Sequence, residues 1–198
     1  IENAIPSSPH YFIPHQFVIR AHSTTTKLRE VFDASSKTST QKSLNDTLMV
    51  GPTIQSDLFS TLLRFRLNKF AITADITKMY RQVNVHKDDR KFQLILWREN
   101  SEMPIQFYEL NTVTYGTAPA PFLAIRCLKE ISDIFKDVFP LGSSVVANDF
   151  YVDDLLSGAD DENTLLQLRK EVIHILNSCQ CPLAKWYSNS KNTRVTRL

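Results

Sequence analysis

Long apolar runs are missing from this 198-residue chain, and no stretch approaches the roughly 20 apolar residues of a membrane span. The opening residues, IENAIPSSPHYFIPHQ, lack the basic and apolar regions of a signal peptide. The triplet Asn45-Asp46-Thr47 matches a glycosylation acceptor, but no secretory signal gives it meaning. Cysteine is scarce. Cys127, Cys179 and Cys181 cannot make a disulfide framework, and Cys179-Gln180-Cys181 has no matching pair for a zinc site. Free thiols in a reducing compartment are the reading that fits. Internal repeats are absent too. Net charge is low, at +2, too small to imply a nucleic-acid partner by itself. Between His15 and Asn45, however, five basic residues (Arg20, Lys27, Arg29, Lys37, Lys42) face two acidic ones (Glu30, Asp33). That excess suits a polyanion, although charge alone is explained as simply by a solvated face. The chain opens on Ile1 rather than Met, so a segment of a longer polypeptide is expected.

What is present is an ordinary globular composition, 42% apolar and 10% aromatic, enough for one large domain or a domain with a subdomain. Pro6, Pro9 and Pro14 mark an extended arm. FVIRAH and KLREVFDAS read as strands of a hairpin, followed by the polar loop SSKTSTQKSLND. Ser56 is a plausible N-cap for a helix whose apolar positions are Leu58, Leu62 and Phe65. KFAITAD reads as a buried strand ending on Asp75, and KFQLILWRE and IQFYELNTV as two strands joined by a turn near Asn100 to Pro104. TAPAPFLAIRCLKEISDIFKDV is the clearest helix, with a stripe of Phe122, Ile125, Leu128, Ile131, Phe135 and Val138. SVVANDFYV and LLSGA read as short strands. A second helix then begins near Asp160, Asp161 and Glu162, with the stripe Leu165, Leu168, Val172 and Ile175. Strands and helices mix without a strict βα repeat, which predicts an α+β fold.

Asp153 and Asp154 interrupt a run of strand formers, Phe150, Tyr151, Val152, Leu155 and Leu156. Unpaired charges buried there would be costly, so a hairpin whose tight turn holds both carboxylates is expected. Turn aspartates are common, and that explanation can stand alone. The other explanation adds Asp75 from the end of its strand. Three carboxylates delivered to one place repel one another unless a cation sits among them. Oxygen ligands without His or Cys suit Mg²⁺, and such a site suits phosphoryl transfer with two metal ions.

Several motifs in one order carry a resemblance. KLREVFDASSKT, LNDTLMVGP, ADITKMYRQV, LILWRE, VTYGTAPAPFLA, YVDDLLSGADD and LAKW follow one another between Lys27 and Trp186, within a resemblance that covers about Tyr11 to Trp186. In wording and spacing they resemble the reverse transcriptases of long-terminal-repeat retrotransposons, most of all the Pao/BEL group. The resemblance implies a right-hand polymerase fold of fingers and palm, the palm an antiparallel sheet packed on helices. Residues 1–70 would be mainly fingers and 71–198 mainly palm with a fingers insertion, with thumb and RNase H not present. It implies RNA-directed DNA polymerase activity with two Mg²⁺ ions (Mn²⁺ substituting), a primed RNA or DNA template, dNTPs and no membrane. It also implies a parent polyprotein and a cytoplasmic location within virus-like particles, or a nuclear one.

Residue by residue, Asp75 matches the first catalytic aspartate of that family, and Asp153 and Asp154 match the adjacent pair. The backbone carbonyl of Ile76 would be a further metal ligand. Tyr80 matches the steric gate that disfavours a 2′-hydroxyl; taken alone it reads as an ordinary core aromatic. Arg29 aligns with the arginine that contacts the triphosphate through its planar fork, and Lys27 is a second candidate for that contact. A further fingers lysine of the family falls near His22. Tyr115 and Gly116 match the segment under the incoming base and sugar, Gly116 allowing close backbone approach. Retroviral enzymes usually carry Gln where this chain has Tyr115, so packing or stacking replaces an amide hydrogen bond there. Lys185 matches the palm lysine that protonates the leaving pyrophosphate. Tyr151 would pack beneath the turn. Two rival functions share these residues: a non-catalytic nucleic-acid-binding remnant of a polymerase, and a metal-dependent nuclease, which needs no sugar gate.

Overall fold

Residues 8–19, 21 and 27–193 are described by the structure, a computed structural model. In chain order the elements are β1 (His15–Ile19), β2 (Leu28–Phe32), α1 (Leu58–Leu67), β3 (Phe70–Ile76), β4 (Leu94–Trp97) and β5 (Gln106–Glu109). They continue with α2 (Ala120–Phe135), α3 (Pro140–Asn148), β6 (Phe150–Tyr151), β7 (Asp154–Ala159), α4 (Glu162–Ser178) and β8 (Leu183–Ser188). Short 3-10 helices occupy Met79–Gln82, Lys87–Phe92 and Lys191–Thr193. β6, β7, β3 and β8 form one sheet in that order, and β1–β2 and β4–β5 are separate two-stranded ladders. All of these pairings are antiparallel, so the chain is a mixed α/β protein with antiparallel sheets. No helix among the described residues is long and apolar enough to cross a membrane.

The chain divides into two compact units. One combines the described residues up to Gly51 with Val83–Pro121; the other combines Pro52–Gln82 with the described residues from Phe122 onward. In the second unit β3 obeys the two-residue period of a strand. Ile72, Ala74 and Ile76 are buried, while Ala71, Thr73 and Asp75 lie on the opposite face. The buried face shares one core with Ala124 and Leu128 of α2, Val145 and Val146 of α3, and the stripe of α4. In α4 the expected Leu165, Leu168, Val172 and Ile175 are all buried, joined by Leu176. Each contributes about 1.5–3 kcal/mol relative to exposure. Asp161 caps this helix by accepting from the Thr164 N–H at 2.9 Å. Helices α3 and α4 pack closely because Gly142 has no Cβ; one there would overlap Glu171. The buried Glu171 in turn accepts from the Gly142 N–H at 2.7 Å. Cys127, Cys179 and Cys181 are free thiols.

The first unit has its own small core of Ile13, Phe32, Ala34 and Leu44. Its proline-marked arm runs parallel to β4 through the Phe12–Leu94 bridge, with Ile13 N–H donating to the Leu94 carbonyl at 2.7 Å. Pro6 of that arm lies outside the described residues.

Four local expectations change. The segment SVVAN is not a strand but the C-terminal part of α3: Pro140 starts that helix, and Val145 and Val146 fill the core from it. Their β-propensity yields to tertiary packing. Helix α1 is capped by Asp57, not Ser56, through the Ser60 N–H at 2.9 Å. Its predicted apolar face is not the buried one, since Leu58 and Leu62 are exposed and Thr61 is buried. Val138 lies beyond the end of α2 and is exposed.

Candidate active site

The sheet register sets the carboxylate positions. In the β3–β7 ladder Asp75 stands opposite Asp154, while the next pair, Ala74 and Leu155, points into the core. Directly opposed residues of an antiparallel pair share a face, so both carboxylates project from the open side. The turn that carries Asp153 is tighter than expected. Tyr151 pairs with Asp154, so only Val152 and Asp153 make the turn, and Asp154 is the first residue of β7 rather than a turn residue. Val152 has φ 57°, the left-handed conformation that a II′-like hairpin turn needs at its first position and usually gives to glycine. For a β-branched residue this costs about 1–2 kcal/mol. The Asp153 carbonyl accepts from the Ile76 N–H at 2.8 Å, so backbone fixes the turn against the end of β3. The Ile76 side chain is buried, leaving only its backbone beside the carboxylates.

Lys185 reaches the same place from β8. The β3–β8 register shifts between Thr73 and Asp75, so Lys185 and Trp186 together face Ala74. Lys185 adopts φ 54°, the left-handed first position of a bulge. The bulge turns Trp186 toward the core, beneath the Arg169 guanidinium at 4.9 Å, and lets the Lys185 Nζ reach Asp75 Oδ2 at 3.1 Å. This is the one cation in direct contact with the carboxylates among the described residues. Desolvation and the neighbouring charges of Asp153 and Asp75 push the Asp154 carboxyl above its ordinary range, while Lys185 pulls it down.

Like charges held on opposed residues favour a divalent cation. The donor set is all hard oxygen, which fits Mg²⁺ held by one or two carboxylates plus substrate phosphates. Among the described residues no three His, Cys, Asp or Glu side chains close into a cage for an ion.

Tyr80 lies in the 3-10 helix after β3, half-buried and packed on the edge of the core. Burial, and then the charge of Asp153, raise its phenol above its ordinary value. Its packing is that of the core aromatic the sequence also allowed.

Arg29, Tyr115 and Gly116 come together in the other unit. The Arg29 guanidinium lies 6.0 Å from the Tyr115 ring centre. That ring packs edge-on against Phe32 at 5.2 Å, and its hydroxyl donates to the Glu30 carbonyl at 2.8 Å. Gly116 has φ 97°, and a Cβ there would overlap the Phe32 carbonyl oxygen. Lys27 is exposed one residue before β2, and the His22 position lies outside the described residues.

Two residues without an expected role organise these clusters. Asn45 donates to the Gly116 carbonyl at 3.0 Å and to Ser35 Oγ at 2.8 Å, and accepts from the Ala118 N–H at 2.7 Å. Gln55 donates to the Phe150 carbonyl at 2.8 Å and accepts from the Val152 N–H at 3.2 Å. Both sit inside or beside the LNDTLMVGP motif, the only signal that could have drawn attention to them.

The sequence profile described as reverse transcriptase (RNA-dependent DNA polymerase) matches residues 15–186. The chain belongs to the reverse transcriptase family. The enzyme class is thus RNA-directed DNA polymerase, a nucleotidyltransferase, with a primed nucleic-acid template and dNTPs as the substrates the family implies. Reverse transcriptases generally use divalent metals, in keeping with the acidic oxygens gathered at the Asp75 end of the sheet. No curated protein matches the chain.

Proposed function

We propose that this reverse transcriptase domain extends a primer 3′-hydroxyl by in-line attack on the α-phosphate of a dNTP at the Asp75–Asp153–Asp154 end of the four-stranded sheet. The observation that carries the reading is the opposed pair Asp75 and Asp154, with Asp153 in the adjoining turn. These carboxylates and the Ile76 carbonyl would hold two Mg²⁺ ions, with Mn²⁺ able to replace them. Bound there, the ions supply an activated primer hydroxyl and charge stabilisation on the leaving pyrophosphate. Lys185 Nζ, near Asp75, donates a proton or positive charge to the leaving group. The Tyr80 ring acts as the gate against a ribose 2′-hydroxyl. In the other unit, Arg29 contacts the triphosphate, with Lys27 as a second contact, and Tyr115 and Gly116 serve the base and sugar. Tyr115 works by packing, which its contact with Phe32 supports.

In this reading the unit holding β1, β2, β4 and β5 serves as fingers and the unit holding the four-stranded sheet serves as palm. On the resemblance of its motif wording, the domain is read as one of the Pao/BEL long-terminal-repeat retrotransposons, in a polyprotein working in cytoplasmic virus-like particles or the nucleus.

The test is primer extension on an RNA template with Mg²⁺ or Mn²⁺, comparing the native sequence with Asp153→Asn. A dNTP-dependent ladder that disappears in the variant is expected. A folded protein that binds primer–template yet extends nothing, even with its native downstream sequence, would replace the polymerase with a non-catalytic binding module. Replacing Tyr80 with a smaller residue should raise ribonucleotide use; unchanged sugar selection would remove the gate assignment.

A further inference from the structure

β6 is the outermost strand of its sheet among the described residues, so its backbone groups facing away from β7 have no strand to pair with. The side-chain amide of Gln55 meets two of them. Its nitrogen donates to the Phe150 carbonyl at 2.8 Å, and its oxygen accepts from the Val152 N–H at 3.2 Å. One amide thus takes the place of a neighbouring peptide unit. The orientation is dictated, since a carbonyl can only accept and an N–H can only donate. The two contacts bracket Tyr151 and end on Val152, the residue held at φ 57°. A strained turn persists only where its surroundings over-determine it. Nearby, Arg64 donates to the Asn148 carbonyl at 2.6 Å, and Ser157 Oγ donates to Asp149 Oδ2 at 2.6 Å. These hold the foot of the hairpin, whereas among the described side chains only Gln55 hydrogen-bonds the backbone at its tip.

We propose that Gln55 is a positioning residue for the carboxylate turn: its amide holds the strained Val152–Asp153 segment in place, and with it the Asp153 carboxylate. The proposal rests on the polymerase reading for its catalytic consequence, but not for the clamp itself.

The experiment measures two things in Gln55→Ala, Gln55→Glu and Val152→Gly, singly and combined. Amide hydrogen exchange at Val152 in the 198-residue chain reports the clamp without any metal or substrate. Primer extension reports kcat separately from the KM for primer–template. Gln55→Ala should speed exchange at Val152 about 10-fold and lower kcat about 10-fold, with KM changed less than about 2-fold. Gln55→Glu keeps the acceptor for Val152 but loses the donor for Phe150, so it should fall between the two. In the Val152→Gly background the kcat loss from Gln55→Ala should shrink to about 2-fold, because glycine holds the turn without strain. Unchanged exchange at Val152, or equal kcat losses in both backgrounds, would overturn the proposal. If the native sequence does not polymerise even with its native downstream sequence, the polymerase reading fails, while Val152 exchange in Gln55→Ala and Gln55→Glu still decides for or against the clamp.

Discussion

The two clusters of candidate site residues are built by opposite means. At the Asp75 end of the four-stranded sheet, backbone geometry does the placing: a register, a two-residue turn and a bulge, with Val152 and Lys185 both in left-handed conformations. Around Tyr115, the strands are short and one side chain, Asn45, ties residues 35, 116 and 118 together. Strain in the first case is borne by non-glycine residues within a ladder backed by a large core. In the second, the awkward backbone position is given to glycine and the neighbouring core is small. A well-anchored sheet tolerates strained side-chain-bearing residues, whereas a two-stranded ladder uses glycine and hydrogen bonds.

The largest effect should come from Gly116→Ala, which places a Cβ against the Phe32 carbonyl at positive φ. A loss of about 3 kcal/mol is expected. The two tryptophans make the comparison measurable, since Trp97 lies on β4 and Trp186 on β8, one in each unit. Denaturant unfolding followed at Trp97, with Trp186 replaced by Phe, should shift further than unfolding followed at Trp186. Equal shifts would mean the units unfold as one block.

Lys185 offers the converse test. Lys185→Gly and Lys185→Ala both remove the contact with Asp75, but only glycine relieves φ 54°. The glycine variant should be more stable by about 1 kcal/mol. Equal stabilities would show that the bulge relaxes once its side chain is gone.

Asp149 tests whether buried charge weakens the hairpin's foot. Burial pushes its carboxyl above the ordinary range, while the Ser157 hydroxyl and Arg64 pull it back. A folded pKa above the unfolded one means that the folded state holds the proton more tightly. That contribution is complete below about pH 4, the unfolded value, and is lost as pH rises through the folded value. Asp149→Asn keeps an acceptor for Ser157 and cannot ionise. Its denaturation midpoint should therefore exceed the native one at pH 7, with the gap closing toward pH 4. A gap independent of pH would assign the effect to packing.

The smallest effect is Tyr115→Phe, which removes the hydroxyl donated to Glu30 but keeps the ring on Phe32. A loss of about 0.5–1 kcal/mol in the Trp97-monitored transition is expected. A much larger loss would shift weight from packing to that hydrogen bond.

How legible these features were depends on their range. The strand β3, the stripe of α4 and the turn between β4 and β5 follow from local period and turn residues, and each forms where the sequence suggested. The segment SVVAN misleads because two adjacent valines look like a strand, while Pro140 and the close approach at Gly142 favour a helix. The leucines of α1 have helical spacing without being the buried face. Three aspartates and a lysine were legible as motif members, and the structure adds how they meet: the bulge at Lys185 leaves no mark in composition or period. Gln55 and Asn45 act on partners 95 and 71 residues away, which no local pattern can encode.

The strand that carries Asp75 is made early and completed late. Its ladder partners are the strand beginning at Asp154 and the one from Leu183 to Ser188, while Val83–Pro121 is inserted between them in the sequence and belongs to the other unit. During synthesis β3 therefore leaves the ribosome with both edges open and waits for roughly 80 further residues before its first partner appears, several seconds at ordinary translation speeds. Over that interval the inserted unit has all its described strands available and can fold first, while an apolar strand with two unpaired edges is exposed to mispairing. The order of manufacture thus completes the Asp75 end of the sheet only after the inserted unit has been made, and leaves β3 open to mispairing until then.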